Sequence, residues 1–262
     1  MNVLIIGIPH KSIIEAIKKS GYLEKLYIAA PQSVENIPNI DFLSFEDLIN
    51  KAKVLKTDIA ITFDKDLIKA GIAEVFQKNK LNLISVNKKW LNLETSRIAS
   101  KKLLNYYEIS NPEIIKAPVA FPVILKTDFP KFTYKADSIS DLIEAIEHLG
   151  GENIYTEEYL IGNSYEFVHI WDGENIYTLP SEQQLTEIQE EKLKLYSTKL
   201  NFMLADEKAD FRGFFTSKLM WAKNEWYVLR YKMDSSDYKF ENLKNDFLFI
   251  LNLIIYRKLN EL

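Results

Sequence analysis

The chain has 262 residues, 47% hydrophobic and 27% charged, with a net charge of −4 and no cysteine. That composition describes a folded protein with a full apolar core, and it gives no electrostatic reason to expect nucleic acid or an anionic membrane as partner. Without cysteine, disulfides, thiolate zinc sites and cysteine nucleophiles are excluded.

Residues 1–7 read as a first strand rather than a signal peptide, because they lack a cationic flank, a longer apolar run and a cleavage site. No segment approaches a membrane-spanning length, so a cytoplasmic protein is the default expectation. Residues 2–6 are an apolar run ended by Gly7, and 11–20 carry Ile13, Ile14 and Ile17 at helical spacing. A strand at 26–29, a proline-containing loop at 31–39, a helix at 45–53, a strand at 58–62, a helix at 66–78 and a strand at 81–85 follow. Strands alternating with helices predict a parallel sheet covered on both faces, so residues 1–92 are expected to form a small doubly wound α/β domain. The turn Gly7-Ile-Pro-His-Lys-Ser12 has one glycine where a dinucleotide fingerprint needs three, and Pro9 removes an N–H that could have cradled a phosphate. His10 reads as an ordinary loop histidine.

A helix is predicted over 94–107, capped near Thr95 and ended by Asn111-Pro112. The paired lysines Lys101-Lys102 on it fit a solvated face. Beyond it the pattern becomes α+β. A strand at 121–126 ends in Lys126, with an antiparallel partner at 132–136. A helix at 139–149 is stopped by Gly150-Gly151, and a strand covers 153–160. Strands at 165–171 and 175–179 flank the hairpin signal Asp172-Gly173. A long amphipathic helix spans 182–202, a second hairpin joins 214–221 to 226–233, and a closing helix takes 240–262. Residues 93–262 are therefore expected to form a second domain, with a lid subdomain at about 112–160.

Three features carry chemistry. Lys126, at the end of an apolar strand, suits a point-charge contact to a phosphate. The acidic turn Glu157-Glu158-Tyr159-Leu160-Ile161-Gly162 suits an adenine amine and ribose hydroxyls. In the strand from Trp226, strict alternation puts Tyr227, Leu229 and Tyr231 on one face and Val228, Arg230 and Lys232 on the other, where side chains two apart lie about 7 Å from each other. Arg230 and Lys232 are then placed to share an anionic ligand, or to pair with carboxylates such as Asp234 or Asp237.

Taken in order, these segments resemble the ATP-grasp superfamily, and most closely its phosphoribosylamine–glycine ligases (glycinamide ribonucleotide synthetases). The similarity runs through Asn2-Val-Leu-Ile-Ile-Gly7, Ala70-Gly71-Ile72, residues 96–111, Pro122-Val-Ile-Leu-Lys126, 157–162, and Phe211-Arg-Gly213 with Leu219-Met220. It implies an ATP-dependent, magnesium-requiring ligase of purine biosynthesis. Lys126, Glu157, Glu158, Tyr159 and Leu160 would then surround ATP or another nucleotide.

The chain departs from that pattern at several places. The glycine-rich loop after the first strand is reduced to Gly7, and Phe63-Asp-Lys-Asp66 replaces a Gly-Pro-Glu turn. The phosphate lid becomes Thr127-Asp-Phe-Pro-Lys131, without glycine, and Ser181 runs almost directly into a helix where a substrate loop is expected. No C-terminal ligase domain is expected.

The resemblance puts the magnesium pair, Glu-x-Asn, on Arg230 and Lys232, and the arginine that follows on Asp234. Guanidinium and ammonium groups have no lone pair to offer, so magnesium is not expected at that position. The leading expectation is a divergent homologue that has lost the family reaction and acts by binding a ligand or a protein partner. The alternatives are a working ligase with a metal site rebuilt from Glu157, Glu158 or Glu166, and a metal-independent phosphate or nucleotide binder using Arg230, Lys232 and Lys126. The oligomeric state is not readable from these residues.

Overall fold

In a computed structural model, residues 1–7, 10–34, 36–128, 131–149, 153–181 and 183–262 are described. The first part runs β1 (Asn2–Ile6), α1 (Lys11–Lys18), β2 (Lys25–Ala29), α2 (Phe45–Val54), β3 (Ile59–Thr62), α3 (Lys65–Lys69), α4 (Ile72–Lys78) and β4 (Leu83–Ile84). The strands form the expected parallel sheet in the order β2-β1-β3-β4. Both faces of β1 are covered: Val3 and Ile5 join a cluster with Ile13 and Ile17, and Leu4 and Ile6 join one with Leu48 and Phe76. Burial on two faces explains why the strand reads as an unbroken apolar run.

The helix expected over 66–78 is two helices. Gly71 breaks it with φ +91°, a conformation that glycine adopts at little cost. The segment Phe63-Asp-Lys-Asp66 starts α3, because the Asp64 carboxylate accepts from the amides of Asp66 and Leu67. Next come α5 (Lys88–Thr95) and α6 (Arg97–Tyr106). The cap expected near Thr95 belongs to Ser96, whose Oγ accepts from the amide of Ala99, and α5 is an additional helix capped by Asn87.

A second sheet contains β5 (Ile114–Ile115), β6 (Val123–Thr127), β7 (Thr133–Ala136) and β8 (Ile154–Glu158), with α7 (Ile139–Leu149) packed on it. Its order is β5-β8-β6-β7, all antiparallel, around a small core of Val123, Leu125, Ala136 and Leu142. The readings placed on Pro9, Pro130 and Gly150-Gly151 lie outside the described residues.

The third sheet uses β9 (Asn163–Trp171), β10 (Ile176–Thr178), β11 (Gly213–Ala222) and β12 (Glu225–Lys232), in the antiparallel order β10-β9-β11-β12. Between the hairpins, α8 (Glu187–Asp206) starts later than expected, at a capping box made by Thr186 and Gln189. The closing helix expected over 240–262 is interrupted. A 3-10 turn at Phe240–Asn242 precedes α9 (Phe247–Tyr256), which Arg257 ends in the left-handed region, φ 56°. Apolar but for Asn252, α9 buries Phe247, Leu248, Ile250, Leu251, Leu253 and Ile254 in the cluster that holds Val3 and Ile5 of the first sheet. The larger cluster runs without a break from Leu4 and Phe76 to Phe167, Phe215 and Tyr231 of the third sheet. Among the described residues no helix is long and apolar enough to cross a membrane.

His169 on β9 is fully buried. Its Nδ1 lies 2.9 Å from Thr178 Oγ1 and its Nε2 2.7 Å from Ser217 Oγ, and Thr178 Oγ1 is 2.9 Å from Ser197 Oγ. Burial pushes its pKa down from 6.5 to about 3. Between those values the unfolded chain binds a proton that the folded chain does not, so this contribution is complete above pH 6.5 and falls below it by about 1.4 kcal/mol per pH unit. Urea unfolding between pH 7 and 4.5 should show that decline, and His169→Gln should flatten it. An unchanged slope in the variant would assign the pH dependence to other groups.

Candidate functional site

Strict alternation along β12 put Val228 on the face of Arg230 and Lys232, and the structure overturns that. Val228 pairs with Leu219 of β11, but Arg230 pairs with the preceding residue, Lys218, which leaves Leu229 as the extra residue of a bulge. One extra residue reverses the phase of every side chain beyond it. Trp226, Val228, Tyr231 and Met233 are consequently all buried in one cluster, while Arg230 is exposed and Lys232 half-buried. Tyr227 and Tyr231 do not share a face.

These cations border a cleft between α6, the second sheet and the third sheet. It consists of adjoining cavities of about 360 and 280 Å³ that share Arg97, Lys126, Glu157, Leu229 and Arg230 in their walls. The larger adds Lys101, Lys131, Lys232, Glu166 and Asp237. The smaller adds Ile124, Glu158, Tyr159, Leu160, Lys218 and Met220. All seven residues singled out from the sequence (Lys126, Glu157, Glu158, Tyr159, Leu160, Arg230 and Lys232) therefore border one cleft.

Their charges are arranged in ways the chain order did not reveal. Glu157 is 1% exposed and forms ion pairs with two lysines, Lys101 at 2.9 Å and Lys126 at 2.6 Å. Burial lowers the pKa of Lys101, against the opposing pull of Glu157. The Lys101 ammonium also donates to Asn111 Oδ1 at 3.0 Å and to the Pro112 carbonyl at 2.5 Å. Glu158 pairs with Lys223 and accepts from the Glu113 amide at 3.2 Å. Tyr159 lies under the Lys135 ammonium, 5.0 Å from its ring centre, and Leu160 is buried. The turn then passes so close to β11 that a Cβ on Gly162 would sit 2.0 Å from the Trp221 carbonyl oxygen. Only glycine fits there, and this approach ties the turn to the sheet that carries Arg230.

Lys232 pairs with Asp234 at 3.3 Å and with Asp237. Burial disfavours its charge, but the two carboxylates outweigh that and raise its pKa. Burial likewise opposes the Asp234 charge, and the Lys65 ammonium at 2.8 Å overcomes it, so the pKa of Asp234 is lowered. Arg230 has a weaker tie, 3.5 Å to Glu166 Oε1, with both side chains more than half exposed. Directly across from Arg230 stands Lys218, whose ammonium has no ion-pair or hydrogen-bond partner among the described residues. Like charges opposed across two strands repel each other.

Lys218, Lys101, Arg97 and Lys131 were missed at the sequence level. Lys101 had a signal: it sits three residues before Leu104, and both are buried on one face of α6, whereas Lys102 is exposed. Lys218 had none, because its meaning comes from the strand register. Arg230, Lys232 and Lys218 are all hydrogen-bond donors and offer a magnesium ion no ligand atom; the carboxylates beside them in the wall are Glu166 and Asp237. Among the described residues no group of three or more histidine, aspartate or glutamate side chains is placed to hold a metal.

No family model matches the chain. Curated relatives include the phosphoribosylamine–glycine ligase of Fusobacterium nucleatum, 25% identical over 319 aligned positions that cover all of this chain and 75% of the relative. That of Caldanaerobacter subterraneus is 25% identical over 218 positions, 72% of this chain and 52% of the relative. The chain thus spans three quarters of the first relative and about half of the second. Among solved structures, the phosphoribosylamine–glycine ligase of Thermotoga maritima superposes with a TM-score of 0.72 at 18% identity, over 98% of this chain and 75% of that one. An L-amino acid ligase of Bacillus licheniformis gives 0.69 at 13% identity, over 99% and 76%. At these identities the superpositions show the fold.

Proposed function

We propose, from the premise that this chain is a divergent ATP-grasp protein resembling the phosphoribosylamine–glycine ligases, that it binds a phosphorylated, nucleotide-type ligand without magnesium and does not run the glycine ligation. The observation that carries this reading is the opposed pair Lys218 and Arg230, at the edge of the cleft where the resemblance puts metal ligands. Glu166, which faces Lys218 from β9 and lies 3.5 Å from Arg230, offsets part of the repulsion between the two cations, and a phosphate bridging them would replace the remainder with two charge-assisted hydrogen bonds. Cations can supply the metal's positive charge, but not its coordination geometry.

Further support comes from the walls of the smaller cavity. Ile124, Leu160 and Met220 offer apolar surface for a planar base, next to the polar main chain of the turn at Tyr159. Lys126 and Lys101 lie beyond, towards the larger cavity. A rebuilt metal site finds less support, since Glu157, Glu158 and Glu166 each already hold a cationic side chain. A cytoplasmic place of action is part of the same reading.

Calorimetric titration with ATP in magnesium and in EDTA tests the proposal. Equal affinity in both is expected, with no ADP released on adding glycine and phosphoribosylamine. An absolute magnesium requirement would overturn the anion clamp. Robust ADP release with both substrates and magnesium would establish the ligase instead.

A further inference from the structure

Lys65 opens α3 in the first part of the chain, and its ammonium reaches two carboxylates from later segments. It pairs with Asp234, just beyond β12, at 2.8 Å and with Glu94 of α5 at 2.5 Å. Each of those residues has further partners. Asp234 Oδ1 lies 3.3 Å from the Lys232 ammonium and accepts from the amide and hydroxyl of Ser236 at 3.1 and 2.8 Å. Glu94 Oε2 accepts from the Met233 amide at 2.8 Å, and the Glu94 carbonyl accepts from Lys131. Lys232 pairs in addition with Asp237.

The row Glu94, Lys65, Asp234, Lys232, Asp237 therefore alternates in sign. Glu94, Lys232 and Asp237 border the larger cavity together with Lys131, while Lys65 and Asp234 are set back from it. Asp234 is 2% exposed, so water screens its charge poorly and its attraction is divided between two ammonium groups. Lys65 is the nearer of the two. Burial works against the Lys65 charge, but Asp234 and Glu94 outweigh it and raise its pKa, so Lys65 stays a cation. Whatever pull of Asp234 is spent on Lys65 is not spent on Lys232. An ammonium carries three donors, and Lys232 keeps capacity for a ligand oxygen only while its two carboxylates do not hold it fully.

We propose that Lys65 is a positioning residue for the cleft. By holding Asp234 and Glu94 from behind the wall, it leaves Lys232 available to the phosphates of an anionic ligand. This rests on the reading of the cleft as a phosphate binder, and it extends the site to a side chain of the first part that does not border it. The other role open to Lys65 is to fasten α3 to the segment after β12, which would affect stability but not affinity.

Calorimetric titration with ATP in EDTA, beside a thermal melt, separates the two. Lys65→Met should weaken ATP by about 3- to 10-fold, the size of coupling within one ion-pair network, because Asp234 then turns to Lys232 alone. Lys65→Arg should keep the native affinity. Asp234→Asn, whose amide oxygen can still accept from Ser236, should bind ATP more tightly than the native chain. Lys65→Met combined with Asp234→Asn should return to about native affinity, whereas a fastening role would make the double variant the least stable with no gain in binding. Lys69→Met removes the same charge from the same helix, where it pairs only with Asp66, and should change nothing. Native affinity in Lys65→Met, no gain in Asp234→Asn, or no recovery in the double variant would overturn this inference and leave the reading of the cleft standing. An equal loss in Lys69→Met would assign the effect to net charge and overturn it too. A native chain that binds no ATP in EDTA would overturn both.

Discussion

Glu157→Gln is expected to lower the unfolding free energy by about 3–5 kcal/mol, the range for removing one partner from a buried ion pair. The carboxylate is 1% exposed, and its two lysine side chains are only 9 and 12% exposed. Without it, two ammonium groups face each other in a poorly solvated wall of the cleft. Burial already lowers the pKa of Lys101, and loss of the opposing carboxylate lowers it further. A base with a depressed folded-state pKa is stabilised as pH rises, because the unfolded chain holds the extra proton. The deficit of the variant should therefore be larger at pH 7 than at pH 9 in urea unfolding. Millimolar pyrophosphate should recover part of it at pH 7, by supplying the missing negative charge. A deficit that does not change with pH would mean that the lysines find other partners, and that the triad is not the balanced unit described above.

Arg230→Glu is expected to weaken ATP binding in EDTA by about 10- to 100-fold, the loss of one hydrogen bond between charged groups. The fold should not suffer. The native tie to Glu166 joins side chains that are more than half exposed and contributes little. The variant glutamate would face Lys218 across the strands, where an opposite-charge pair contributes about 0.2–1 kcal/mol. Weaker binding with an unchanged or raised melting temperature is thus the signature of a ligand-holding arginine. If both fall together, Arg230 acts through packing, and if affinity is unchanged, the ligand does not reach it.

Much of the fold was legible from local pattern. Alternation of apolar runs with helical spacing led to the parallel sheet, and Asp172-Gly173 marked a hairpin that β9 and β10 form. Errors fell where a single residue interrupts a period: Gly71 splits one expected helix, Ser96 begins another, and Arg257 ends α9. Each changes only its own backbone angles, and the surrounding hydrophobic pattern barely registers it. The seven candidate residues were found because they lie at strand ends and turns, where polar groups interrupt apolar runs and need a reason.

Sequence alone determined the order of the elements and singled out the seven candidate side chains, with cations at Arg230 and Lys232 where the resemblance expects metal ligands. Only the tertiary structure decided what those charges face. The bulge at Leu229 is set by β12 lying on β11, so the flip of face that buries Val228 and opposes Arg230 to Lys218 is absent from either strand taken alone. The locking of Glu157 by Lys101 joins residues 56 positions apart, and the covering of the first sheet by α9 joins the two ends of the chain. Periodicity along a chain records which side of an element is buried. What meets that side, and whether a charge there is paired, is settled by contacts between distant segments.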